Sequence, residues 1–159
     1  MDILLDLLNS RPLIEGAEAD ALGDRDAGAR WGRVHGGDGS LAELELLRSA
    51  RDALDDVVRG KRTPEALKPL LDGVRRNPEI TPDGLEWTVE TPPHARLAVE
   101  AVLAWADVEK RLPGRLRPCA NSACRLFLLD RSRANRARWC SMAVCGNREK
   151  ARRHYERTR

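Results

Sequence analysis

Four cysteines carry the clearest chemistry in this sequence. Cys119 and Cys124 stand in Cys-Ala-Asn-Ser-Ala-Cys, and Cys140 and Cys145 in Cys-Ser-Met-Ala-Val-Cys, so the pattern is C-x4-C, fifteen residues, C-x4-C. Two closely spaced pairs let two short turns each supply half of a tetrahedral thiolate set, which is the donor set zinc prefers. The competing readings are two disulfides or four idle buried thiols. Residues 113–159 argue against both, because their large apolar side chains are few, with Leu116, Phe127, Leu128, Trp139 and Tyr155 among them. A segment that small usually needs a staple, and structural zinc contributes on the order of 10 kcal/mol of apparent binding energy. With all four cysteines bound the shell is closed, so the metal is structural and leaves no open catalytic position. His154 is a conceivable substitute ligand, set aside because the cysteine set is complete.

The elements that must hold these thiols can be read from their flanks. Leu116-Arg117-Pro118 and Arg125 to Leu129 are extended in character, which puts the first pair at the tip of a small β-hairpin. The second pair leads into a helix that starts at Ser141 or at Asn147 and runs to about Arg157.

The same segment is strongly basic. Residues 111–159 carry 14 Lys/Arg against 3 Asp/Glu, a balance of +11, whereas residues 1–110 carry 14 against 22, a balance of −8. Their sum, the formal +3, conceals a sign asymmetry that bears on partners. Arg131, Arg133, Arg136 and Arg138 lie between the cysteine pairs and are expected to touch phosphates. Asn147, Arg148 and Arg152, near the start of the last helix, are the candidates for reading base edges. Lys150, Arg153 and Arg157 share a second face of that helix, and Arg159 falls on the face of Arg148. The preference for Arg over Lys suits bidentate contacts to phosphate or guanine. DNA is the expected partner, and duplex RNA is also compatible. Two other readings compete: a solvated basic face, or an interaction module in which acidic body and basic finger bind each other, within a chain or across a homodimer.

The acidic body is read as helical. The chain has 159 residues, 42% hydrophobic and 33% charged, with aromatics at only 4%, so a core must be built from Leu, Ala and Val. Leu4, Leu5, Leu7 and Leu8 make a short amphipathic helix that stops near Arg11-Pro12. Residues 15–39 read as weakly helical, with a plain loop at Gly36-Gly37-Asp38-Gly39 that leaves His35 without a role. Ser40-Leu41-Ala42-Glu43 is a capping box opening a helix to Val58, with Gly60 as its stop. Thr63-Pro64 starts another, which Pro69 should kink or shorten. Pro82-Asp83-Gly84 is a turn joining the alternating strand Leu85 to Glu90 to a weaker partner at Arg75 to Ile80. A central helix runs from about Pro93 to Leu112. The expected fold is mainly α: a helical domain with one small hairpin over 1–112, then a four-cysteine finger over 113–159. Nothing in the body brings a nucleophile, a base and an oxyanion site together, so an enzyme is not expected. The acidic start at Met1-Asp2 is no secretory signal and no run is long enough to span a bilayer, so the expected compartment is the cytoplasm, where thiols stay reduced.

The run Trp139-Cys140-Ser141-Met142-Ala143-Val144-Cys145-Gly146-Asn147-Arg148, with Arg117-Pro118-Cys119-Ala120-Asn121 and Cys124 upstream, strongly resembles the CGNR zinc finger. Leu5-Asp6-Leu7-Leu8-Asn9-Ser10 is similar to the opening of the ABATE domain that accompanies this finger. The resemblance implies a bacterial, stress-induced transcription regulator whose finger binds DNA.

Overall fold

The computed structural model describes residues 3–14 and 16–158; Met1-Asp2 and Arg159 lie outside the described residues. Helix α1 (Ile3–Leu8) buries Leu4, Leu7 and Leu8, the i, i+3, i+4 stripe its sequence shows. It packs on α3 (Leu41–Val58), which contributes Leu44, Leu47, Ala50 and Leu54, and on α4 (Arg96–Arg111), which contributes Leu97, Ala98, Ala101 and Val102. A 3-10 turn over Pro93–Ala95 precedes α4. The burial of α4 is concentrated in its first two turns, so it is central only there. Pro64–Leu71 forms a 3-10 helix rather than an α-helix. Pro69 lies inside it, where an α-helix would lose a hydrogen bond and meet a ring clash.

The stretch read as weakly helical is more structured than its composition suggests. Strands β1 (Leu13–Ile14) and β2 (Ala17–Glu18) pair antiparallel, so the described residues of the body hold a second strand pair beside the expected hairpin. Helix α2 (Arg25–Val34) follows, capped by the Asp24 side chain accepting from the Ala27 N–H at 2.8 Å. His35 ends α2, stacked on Trp31 with ring centroids 3.8 Å apart and with Nε2 3.4 Å from Asp6. It faces a cleft of ≈ 720 Å³ also lined by Asp6, Asn9 and Asp20, and so is not a plain loop residue.

The capping box closes differently from its usual form. Ser40 Oγ accepts from the Glu43 N–H at 3.1 Å, as the motif requires. The Glu43 carboxylate does not return to Ser40; it is buried and accepts from the N–H groups of Asp38 and Gly39 at 3.1 and 2.8 Å. A Cβ at Gly32 or Gly37 would run into that carboxylate. The glycine-rich loop is thus a sheath for one buried acid. Two turns further along α3, the buried Arg51 donates to Ser10 Oγ at 2.9 Å and grips Asp20 through two bonds of 2.6 and 3.0 Å. Burial works against the Asp20 carboxylate, but Arg51 and the Leu22 N–H more than offset it, and its pKa is lowered.

Strands β3 (Arg75–Thr81) and β4 (Gly84–Glu90) form the hairpin expected from the alternating sequence, in register from Thr81 opposite Gly84 to Arg75 opposite Glu90. The apolar side chains of the alternating pattern are not covered: Ile80, Leu85 and Trp87 are 81%, 56% and 50% exposed. Alternation reports that one face is apolar; it does not say that this chain covers it.

Apolar packing continues past Pro113-Gly114. Strands β5 (Leu116–Pro118) and β6 (Phe127–Leu129) pair antiparallel, and Leu116 and Phe127 belong to the body's core cluster. Asn9 clamps this junction: its Oδ1 accepts from the Phe127 N–H at 2.7 Å and its Nδ2 donates to the Phe127 carbonyl at 3.2 Å. Arg59 lies 4.5 Å over the Phe127 ring and donates to the Arg125 carbonyl at 2.8 Å. Arg125 in turn pairs with Glu18. No helix among the described residues is long and apolar enough to cross a membrane.

Candidate metal centre and basic face

The hairpin β5–β6 sets the first cysteine pair. The Cys119 N–H donates to the Leu126 carbonyl at 2.8 Å, closing the end of the hairpin. Asn121 shapes the turn between the two thiols: its Oδ1 accepts from the Ala123 N–H at 3.0 Å and its carbonyl accepts from the Cys124 N–H at 2.8 Å. The second pair is brought over it by a bond from the Ala120 N–H to the Arg138 carbonyl at 2.8 Å, and by the Cys140 N–H donating to Cys119 Sγ at 3.5 Å.

All four Sγ atoms lie within 4.8 Å of one another. The Cys124–Cys140 and Cys140–Cys145 separations are 3.7 and 3.6 Å. A disulfide requires about 2.05 Å. A tetrahedron of thiolates around zinc, with Zn–S near 2.3 Å, places sulfurs about 3.8 Å apart. The residues therefore fit one zinc, with no fifth position required. Burial pushes the Cys140 thiol up, and the neighbouring Cys145 and Cys124 push it further. Burial also pushes Cys119 up, but N–H donors from Asn121 and Cys140 reverse the balance and hold its pKa below the ordinary value. Four thiols so close ionise together only beside a cation, so metal affinity is coupled to proton release.

Both starts expected for the last helix are used. Ser141 caps a π-helical turn over Met142–Gly146, its Oγ accepting from the Val144 N–H at 3.3 Å, and regular helix α5 begins at Asn147 and ends at Arg157. Such an inserted turn re-aims a helix, here just after Cys145. Gly146 has ordinary helical φ; its lack of a Cβ makes room for Met142 and Trp139.

Arg131, Arg133, Arg136 and Arg138 all lie exposed in the segment that follows β6, and Asn147, Arg148, Lys150, Arg152 and Arg153 lie exposed on α5. Sequence reasoning missed the residue that shapes the first group. Asp130 is buried; it accepts from the Ser132 N–H at 2.9 Å, the Ala137 N–H at 2.8 Å and Arg117 at 2.9 Å. The Ser132 side chain, those two N–H groups and the Arg117 charge hold its carboxyl at about 2. Its signal was available: residues 111–159 contain only three acids, and Asp130-Arg131-Ser132 follows a strand with the spacing of an Asx turn. Among the described residues no ion pair engages Arg133, Arg136, Arg138, Arg148, Lys150 or Arg157. Arg152, by contrast, is held by Glu149 at 2.8 Å and Glu156 at 3.0 Å, and Arg153 by Glu149 at 3.0 Å.

A closed four-thiolate centre stapling a short hairpin to a basic helix defines the class: a structural zinc finger carried on a helical body. Its family follows from comparison with known families. The chain belongs to the ABATE family, described as "Putative stress-induced transcription regulator", whose model matches residues 2–129. The CGNR zinc finger matches residues 115–158. The two overlap on β5 and β6, where the body's core enters the finger. A search of curated proteins returned no match.

Proposed function

We propose that the finger binds duplex DNA and that the chain acts as a sequence-specific transcription regulator, without a catalytic step. One observation carries the reading. Helix α5 buries none of its residues and projects from the metal centre, polar all round. An isolated helix of that length is marginal in water, and a helix polar on every side has no core to pack on. A major groove accepts a helix of that diameter and supplies the anionic surface its charge requires. The finger docks on the body through Phe127, held by Asn9, and through Arg125, paired with Glu18, and among the described residues no ion pair joins α5 to the body.

In this reading Arg131, Arg133, Arg136 and Arg138 contact phosphates, on a loop pinned by Asp130. Asn147 and Arg148 sit at the start of α5 and reach base edges. Arg152 and Arg153 contribute mainly phosphate attraction, because Glu149 and Glu156 already hold them. The test is a mobility-shift titration of zinc-loaded full-length chain on duplex DNA, with duplex RNA and single strands as comparators. If six or so phosphates are neutralised, log K falls against log salt with a slope of about −5. Arg148→Ala should cost about 1–3 kcal/mol on a preferred site and less on random DNA. Salt-insensitive or absent DNA binding refutes the proposal, and equal loss on both DNAs reassigns Arg148 to a phosphate.

A further inference from the structure

We infer that the β3–β4 hairpin is a dimerisation arm, and that its occupant is the same hairpin of a second copy, paired strand to strand through the outer edge of β4. This does not depend on the finger binding DNA.

One face of the hairpin is formed by Arg76, Pro78 and Ile80 on β3 and by Leu85, Trp87 and Val89 on β4, apolar but for Arg76, whose guanidinium lies 5.4 Å from the Trp87 ring centroid. None of these residues belongs to the core, and among the described residues no backbone hydrogen bond joins either strand to another element. A lone two-stranded hairpin is at best marginally stable in water, and an exposed strand edge is a ready template for another chain.

The two edges differ. With Thr81 and Gly84 as the pair closing the turn, the hydrogen-bonded pairs are 81/84, 79/86, 77/88 and 75/90. The intervening residues point their backbone groups outward: Arg76, Pro78 and Ile80 on β3, and Leu85, Trp87 and Val89 on β4. Pro78 has no N–H, so the outer edge of β3 is interrupted at its centre. The edge of β4 is continuous, and its three outward residues are also its three apolar ones.

Pairing β4 antiparallel with its own copy, centred on Trp87, is self-complementary. Leu85 meets Val89 of the second copy, Trp87 meets Trp87, and each outward N–H finds a carbonyl. On the opposite face Glu86 lies across from Thr88 and Glu90 across from Gly84, so no glutamate faces another across the two copies, and the one such pair, Glu79 with Glu86, lies within each hairpin. An isologous contact of this kind closes on a two-fold axis and leaves no free edge but the one blunted by Pro78. The seven-residue strand is short of a standard interface, so the dimer should form in roughly the micromolar range.

Sedimentation velocity on the zinc-loaded full chain, from about 1 to 100 µM, tests this. The wild type should shift from monomer to dimer across that range. Val89→Pro removes an outward N–H while leaving the β3–β4 ladder its bonds, and should stay monomeric; Val89→Thr should dimerise. The register is tested separately, because Thr88 faces Asn77 within a chain and Glu86 only across the pair. Thr88→Lys should tighten the dimer and Thr88→Glu weaken it, each several-fold, because two symmetry-related cross-strand pairs change together. A wild type that is monomeric at the top of the range overturns the inference. So does a dimer indifferent to Val89→Pro, or one in which Thr88→Lys and Thr88→Glu act alike.

Discussion

The body and the finger are stabilised by opposite means. In the body, leucines from α1, α3 and α4 are removed from water together, and the polar groups that enter with them are few, with Glu43 gripped by its glycine loop and Asp20 by Arg51. In the finger, β5–β6 leans on the body's core, and beyond it the chain is held by four sulfurs, by Asp130 and by Asn121. Hydrophobic burial scales with area, so a segment with little apolar area must be fixed by directional bonds. The consequence is a division of surface. A segment held from within by sulfur and one carboxylate can leave nearly all its cations outward, whereas the body has turned most of its apolar area inward, leaving exposed the β3–β4 face and the single side chains Val34 and Leu41.

Removing the metal should separate the two regions most sharply. Chelation at neutral pH removes on the order of 10 kcal/mol of apparent binding energy. It should disorder residues 130–157 while the body's helices persist. Zinc release and amide exchange followed together provide the measurement. Simultaneous collapse of α3 and α4 would show that the two regions are one cooperative unit.

Phe127→Ala should be next in size. The ring is fully buried in the shared core, and a substitution of that kind costs about 3–5 kcal/mol. It should lower the thermal midpoint of the body, although the residue lies between the cysteine pairs, while zinc stoichiometry stays at one. Loss of zinc in a folded body would instead assign Phe127 to the finger alone.

Asp130→Asn should have the smallest effect on global stability and the most local one. The carboxyl is held at about 2 in the folded chain, below its ordinary value near 3.9. A lowered pKa means its stabilising contribution is complete above the ordinary value and is lost as pH falls through about 2. The Ser132 and Ala137 amides should lose exchange protection in Asp130→Asn at pH 7, where the wild-type carboxylate is ionised and the thiolates can still hold the metal. DNA affinity should fall with the metal still bound. Unchanged protection in the variant would show that Arg115, which donates to the Asp130 and Ser132 carbonyls, orders the loop without the acid.

Local spacing made several features legible. The two C-x4-C pairs specify their donor set because four like ligands at short range leave few geometries. The split of charge needs no folding at all. Ser40 and Glu43 announce a helix start because a cap is satisfied within one turn. The knuckle at 116–129 was readable from two extended flanks, and the choice between Ser141 and Asn147 was undecidable only because both are used.

What the tertiary structure decided lies at long range. The sequence by itself determined the metal centre, the basic segment and the helical character of the body. It did not determine that Asn9 would clamp Phe127 across more than a hundred residues, nor that Glu43 would turn from its own cap to a loop. Nor did it show that Asp130 would gather an arginine loop, or that the strand with the clearest alternation would stand in solvent. Periodicity and spacing report which groups share a face or a turn; what meets that face depends on contacts whose partners are distant in sequence, and those exist only once the chain has closed on itself.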